Sequence, residues 1–188
     1  MMKRRQLLVA ATFAVALSAT AQAPAPRVAF ETSEGTIVVE LAPKEVPLTV
    51  ENFLTYVKAG HYNGTVFHRV IPTFMIQGGG FTAEMKEKQT RAPIPLESKS
   101  GLKNERGTVA MARRGDPNSA TSQFFINVVD NPRLDYPNPD GNGYAVFGKV
   151  VEGMDVVDKI RGAPTDTRGP HANVPVTPIV IKTARVVK

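Results

Sequence analysis

From Phe67 to Gly79 the chain reads Phe-His-Arg-Val-Ile-Pro-Thr-Phe-Met-Ile-Gln-Gly-Gly, and this run limits the fold more than any other. Its spacing predicts one strand, a break at Pro72-Thr73, and a second strand from Phe74 to Gln77 that ends in glycines. Under regular alternation Phe67, Arg69 and Ile71 share one face, and His68 and Val70 the other. An Arg and a Gln then stand beside Phe74 and Met75 on one small sheet. That combination suits a pocket that takes an apolar ring while holding a polar backbone. It does not suit a site for a nucleophile or a metal.

The rest of the chain is also mostly β in pattern. Val28 and Phe30 alternate with Ala29 and Glu31, and Gly35 marks a hairpin turn. Ile37, Val39 and Leu41 then line one face of a second strand, which Pro43 and Pro47 end. Val50, Phe53, Leu54 and Val57 follow helical spacing, so a helix is expected near 48–59, with Gly60 as its C-cap. Further strands are expected near 65–71, 74–78, 108–112, 123–128 and 145–150. Met154, Val157 and Ile160 mark a short second helix. Ile179, Ile181, Ala184 and Val186 close the chain as a strand with one irregularity. Eight strands and two helices predict a mainly β fold: a closed or nearly closed antiparallel barrel capped by helices. Two long polar segments, 82–106 and 130–143, are left as loops, of the length that often carries function.

The N-terminus reads as an export signal. Lys3, Arg4 and Arg5 precede an uncharged stretch from Gln6 to Ala23 rich in Ala, Leu and Val, followed by small residues. Cleavage is expected after Ala21, because the alternative cut after Ala23 would put Pro24 next to the scissile bond. This divides the chain into a signal peptide at 1–21, a short linker at 22–26 and one domain at 27–188. The implied location is the periplasm, with no stable membrane insertion after cleavage. Arg4-Arg5-Gln6-Leu7-Leu8 leaves the export route open.

Composition narrows the function. The 188 residues are 42% hydrophobic and 21% charged, an ordinary globular balance for one domain. The formal net charge of +6 owes three charges to the leader, so the domain is only mildly basic. That does not argue for nucleic acid. There is no cysteine, which excludes disulfides, thiol nucleophiles and thiolate metal sites. His61 and His171 read as surface or loop residues, and three scattered histidines lack ligand spacing, so no metal is expected. Gly78-Gly79-Gly80 is followed by no P-loop lysine, and close backbone packing explains it better.

Two further constellations complete the pattern. Gly107-Thr108-Val109-Ala110-Met111-Ala112-Arg113-Arg114 leads through a polar loop to Ser122-Gln123-Phe124-Phe125-Ile126-Asn127. Leu134-Asp135 then precedes Tyr144-Ala145-Val146-Phe147-Gly148-Lys149-Val150. With these and Phe67–Gly79, the chain resembles the cyclophilins, peptidyl-prolyl cis/trans isomerases, over nearly all of residues 27–188. It looks most like their exported bacterial branch. The resemblance implies an eight-stranded barrel with two capping helices and no cofactor. Its implied substrates are unfolded or partly folded proteins and peptides with exposed Xaa-Pro bonds, and its implied state is a monomer.

The resemblance also implies roles. Arg69 would be catalytic, as donor to the prolyl nitrogen. Phe74, Met75, Phe125 and Leu134 would line the proline pocket. Gln77 and the main chain of Ala112 and Arg113 would hold substrate backbone. Gln123 belongs to the same surface, and His68 stands beside Arg69, either shaping the site or packing the barrel. Tyr144 occupies a place where other branches carry a histidine. Arg113 and Arg114 replace small or amide residues common in the family and are expected to add positive charge at the groove, favouring acidic or polar residues before the proline. Arg133 stands where some members have Trp, so weak binding of cyclosporin-type macrocycles is expected. Two other classes remain open: a chaperone-like module that binds proline peptides with little turnover, and a basic protein acting through charge alone.

Overall fold

The computed structural model describes residues 24–187, so the signal peptide expected at 1–21 and its expected cleavage point lie outside the described residues. Eight strands form a closed antiparallel barrel. They are β1 (Arg27–Thr32), β2 (Thr36–Leu41), β3 (Thr65–Ile71), β4 (Met75–Thr82), β5 (Thr108–Met111), β6 (Phe124–Asn127), β7 (Val146–Glu152) and β10 (Val180–Val187). Around the barrel the order is β1-β10-β3-β4-β6-β5-β7-β2. Two helices, α1 (Pro47–Lys58) and α2 (Met154–Arg161), pack against it. The fold class is the one the sequence predicts.

The helices begin and end where local chemistry allows. Pro47 stands in the first turn of α1, where a missing N–H leaves no helical bond unmade. Gly60 follows the C-cap Ala59 with φ +67°. Val50, Phe53 and Val57 enter the core, and Leu54 packs against it. Inside, Phe30 stacks on Phe124 at 5.2 Å, and Phe53 lies 4.9 Å from Phe147. Burying each such ring contributes about 1.5–3 kcal/mol. Among the described residues no helix is long and apolar enough to cross a membrane.

Four details differ from the sequence reading. First, β4 does not stop at its glycines but runs through Gly78, Gly79 and Gly80 to Thr82. Gly79 has φ +86°, and a Cβ there would stand 2.9 Å from the Tyr62 ring and 3.0 Å from Phe124. A side chain would forbid the bend, whereas glycine permits it. Second, Phe67 and Val70 both reach the core, although regular alternation assigns them to opposite faces. Phe67 pairs with Gly78 and Arg69 with Gln77, so His68 is the extra residue of a bulge that resets the period. Third, β8 (Thr165–Arg168) and β9 (His171–Pro175) form a separate hairpin, and β9 packs against β3. Polar residues and the Gly169-Pro170 turn hide this hairpin from any apolar pattern. Fourth, Val186 is 45% exposed at the barrel rim, while Ile179, Ile181 and Ala184 are inward. The irregularity expected in β10 falls at Lys182, skipped between Thr183 and Ile181 in the pairing with β1.

Candidate active site

The site lies on the outer wall of the barrel, because alternation sends every second residue outward. Ile76, Phe124 and Ile126 point into the main core, whereas Met75, Phe125 and Ala110 form a second apolar cluster outside it. Ladder pairing sets one row across four strands: Arg69 opposite Gln77, Gln77 opposite Phe125, Phe125 opposite Ala110. Phe74 joins from the turn between β3 and β4. Its carbonyl accepts hydrogen bonds from the Val128 amide at 3.2 Å and the Asn131 side chain at 2.9 Å.

Nine residues enclose a cavity of about 210 Å³: Arg69, Phe74, Met75, Gln77, Ala112, Arg113, Phe125, Leu134 and Tyr144. The structure thus brings together nine of the eleven residues expected from sequence. The other two, His68 and Gln123, line an adjoining groove that shares Arg69, Gln77 and Arg113 with the cavity. Met75 and Phe125 are buried and give the floor its apolar character. Phe125 meets Tyr144 edge to face at 5.8 Å. Leu134 sits on a short 3₁₀ turn, Pro132–Leu134, whose carbonyl end accepts the Tyr144 amide at 2.9 Å.

A polar chain fixes the rim. The Arg69 guanidinium donates to the Gln77 side-chain oxygen at 3.4 Å, and the Gln77 amide donates to Gln123 at 3.0 Å. The Ala112 amide is taken by the Gln123 carbonyl at 3.0 Å. A substrate contact through Ala112 therefore falls to its carbonyl.

His68 is 5% exposed, and its Nδ1 is buried without a hydrogen-bond partner. Its ring lies 4.7 Å from Phe81, which in turn meets His171 at 5.1 Å. Burial above all, with the His171 and Arg69 charges beside it, pushes its pKa down to about 4. It is thus a neutral packing residue behind Arg69. His171, expected on the surface or in a loop, belongs to β9 and packs on Phe81.

Arg113 adds no free cation to the groove, contrary to expectation. Its side chain is 2% exposed and bonds both carboxylate oxygens of Asp140 at 2.8 Å. The 40%-exposed Asp140 had no signal in the sequence, since nothing in a polar loop shows which acid will fold back on which cation. Arg114 is 82% exposed, with Glu87 at 3.7 Å.

The chain matches the sequence model of the cyclophilin-type peptidyl-prolyl cis-trans isomerase family over residues 27–186. It belongs to that family. It is 58% identical over 161 residues to peptidyl-prolyl cis-trans isomerase cyp18 of Streptomyces antibioticus, covering 85% of this chain and 97% of that one. It is 50% identical over 186 residues to peptidyl-prolyl cis-trans isomerase A of Dickeya dadantii, covering 96% and 97%. A solved cyclophilin-type isomerase of Cryptosporidium parvum superposes with a TM-score of 0.72 at 28% identity, over 87% of this chain and 98% of that one. This cyclophilin is a peptidyl-prolyl cis/trans isomerase, acting on peptides that contain Xaa-Pro bonds.

Proposed function

We propose that Arg69 carries the reaction by donating to the prolyl nitrogen as the Xaa-Pro amide twists. Rotation about that bond meets a barrier of roughly 18–20 kcal/mol because it breaks amide resonance. In the twisted state the nitrogen becomes pyramidal and gains a lone pair. A fixed donor aimed at the lone pair binds the twisted state better than the planar one. Neither a covalent intermediate nor a proton transfer is required. A thousandfold acceleration asks for only about 4 kcal/mol of such preference.

The observation that carries this reading is the Gln77 tether. It holds Arg69 at the rim of an apolar cavity walled by Phe74, Met75, Phe125 and Leu134. An arginine suits the task because it stays charged and its fork is rigid. The cavity takes the proline ring, and Gln77 with the main chain at Ala112 and Arg113 holds the flanking backbone. Tyr144 closes the wall beside Phe125, and Gln123 supports Gln77.

The enzyme works in the periplasm, after removal of residues 1–21, on exported chains that are unfolded or partly folded. The basic start, the uncharged Ala-rich stretch and the small residues before Pro24 support this. Prolyl isomerisation takes tens of seconds unaided and limits folding, which makes such chains natural clients. It acts as a monomer and needs neither nucleic acid nor membrane.

The test is cis-to-trans exchange of a short Xaa-Pro peptide by NMR, with the mature protein and with Arg69→Ala. At least about a tenfold loss in the variant is expected. Unchanged exchange would remove Arg69 from the chemistry.

A further inference from the structure

Arg113 stands where the proline cavity meets the adjoining groove, since it lines both. A substrate that seats proline in the cavity and continues into the groove would pass over this side chain. The guanidinium is held from every side. Nη2 donates to both Asp140 oxygens at 2.8 Å, Nε to the Gly143 carbonyl at 3.1 Å and Nη1 to the Arg114 carbonyl at 3.1 Å. The Tyr144 ring lies over it at 4.5 Å. Asp140 is the one acid among these partners.

We propose that Asp140 is a positioning residue that sets the charge selectivity of the site, by neutralising Arg113 between the proline cavity and the groove. The inference rests on the reading of this cavity as the active site. With Asp140 in place, the cations left along the groove are Arg69, which is held by Gln77 and does not change with Asp140, and the exposed Arg114, which faces Glu87 across 3.7 Å. Exposed pairs of that kind contribute little, so selectivity from Arg114 is weak. Without Asp140, Arg113 becomes an unpaired cation at the substrate's side. Acidic residues next to proline would then be favoured and basic ones disfavoured. The same bond ties the 130–143 loop to the end of β5, which keeps Tyr144 against Phe125.

The experiment compares kcat/KM for two peptides that differ only in Glu or Lys before the proline, at low ionic strength. Asp140→Asn should raise the Glu-to-Lys ratio about fivefold, the upper reach of one exposed charge pair. Added salt should erase the rise. Asp140→Glu should keep the wild-type ratio, and so should the double variant Asp140→Asn with Arg113→Gln. A ratio unchanged in a folded Asp140→Asn protein would overturn the inference, as would a rise that persists without Arg113. Arg69→Ala, run in parallel on a neutral peptide, separates the two failures. If it leaves turnover intact, the site reading has failed. If it abolishes turnover while Asp140→Asn leaves the ratio unmoved, only the role of Asp140 has failed.

Discussion

A Cβ on Gly80 would stand 2.6 Å from the side chain of Gln123. Gln123 receives a hydrogen bond from Gln77, which receives one from Arg69, so this chain of amides depends on Gly80 having no side chain. The backbone at Gly80 lies outside the left-handed region, so alanine is permitted there and the clash is with the amide alone. Gly80→Ala is expected to lower kcat/KM about tenfold, or about 1.4 kcal/mol. In a Gln123→Ala background the same change should matter much less. Equal losses in both backgrounds would show that the two residues act independently.

Stability should depend on pH through His68. The unfolded chain takes up a proton near pH 6.5, whereas the folded chain keeps the ring neutral down to about 4. Stability from this residue is therefore complete above about pH 6.5, declines as pH falls, and levels off below about pH 4, a total of about 3 kcal/mol. The half-buried His61 is also depressed and acts in the same direction. Urea unfolding at about pH 7.5 and about pH 5 should show a smaller difference in His68→Asn than in wild type. An equal difference would assign the pH dependence to other groups.

Helix α1 has no cap of its own, because Val46 offers no side-chain acceptor. Glu97, from the 82–106 loop, supplies one: its carboxylate accepts from the Leu48 amide at 3.2 Å, and from the Thr49 amide at 2.7 Å and hydroxyl at 2.6 Å. Glu97→Ala should lower stability by about 1–2 kcal/mol, the usual loss for a removed N-cap. The denaturation midpoint in urea measures this, and an unchanged midpoint would mean that water replaces the carboxylate.

Arg133 is exposed on the 3₁₀ turn next to Leu134, which lines the cavity proposed for the proline ring. A Trp there would add an aromatic surface and an indole N–H beside that wall. Arg133→Trp is expected to tighten binding of a cyclosporin-type macrocycle at least about tenfold by calorimetry, or about 1.4 kcal/mol. Wild-type affinity already below the micromolar range would sink the idea.

Most of the lining of the candidate site is legible in the sequence. Arg69, Gln77 and Phe125 lie within short runs whose period of 2 and glycine content mark strands, and nine of the eleven expected residues surround one cavity. The helices were legible because apolar spacing at i, i+3 and i+4 has one physical reading. The hairpin β8–β9 was not, since its strands bury little and carry no apolar alternation. The bulge at His68 escaped too, because a one-residue reset leaves composition unchanged while exchanging the faces of everything beyond it.

Local pattern was enough for the barrel strands, the helices, the apolar cavity wall and Arg69 at its rim. These follow from how each residue type behaves toward water and toward its near neighbours in the chain. Pairings across long sequence separations were settled only in three dimensions: Arg113 with Asp140, Glu97 with the start of α1, Gly80 beneath Gln123. A charge, a carboxylate and a missing side chain look alike in any polar segment, and only chain closure brings a particular partner within hydrogen-bond reach.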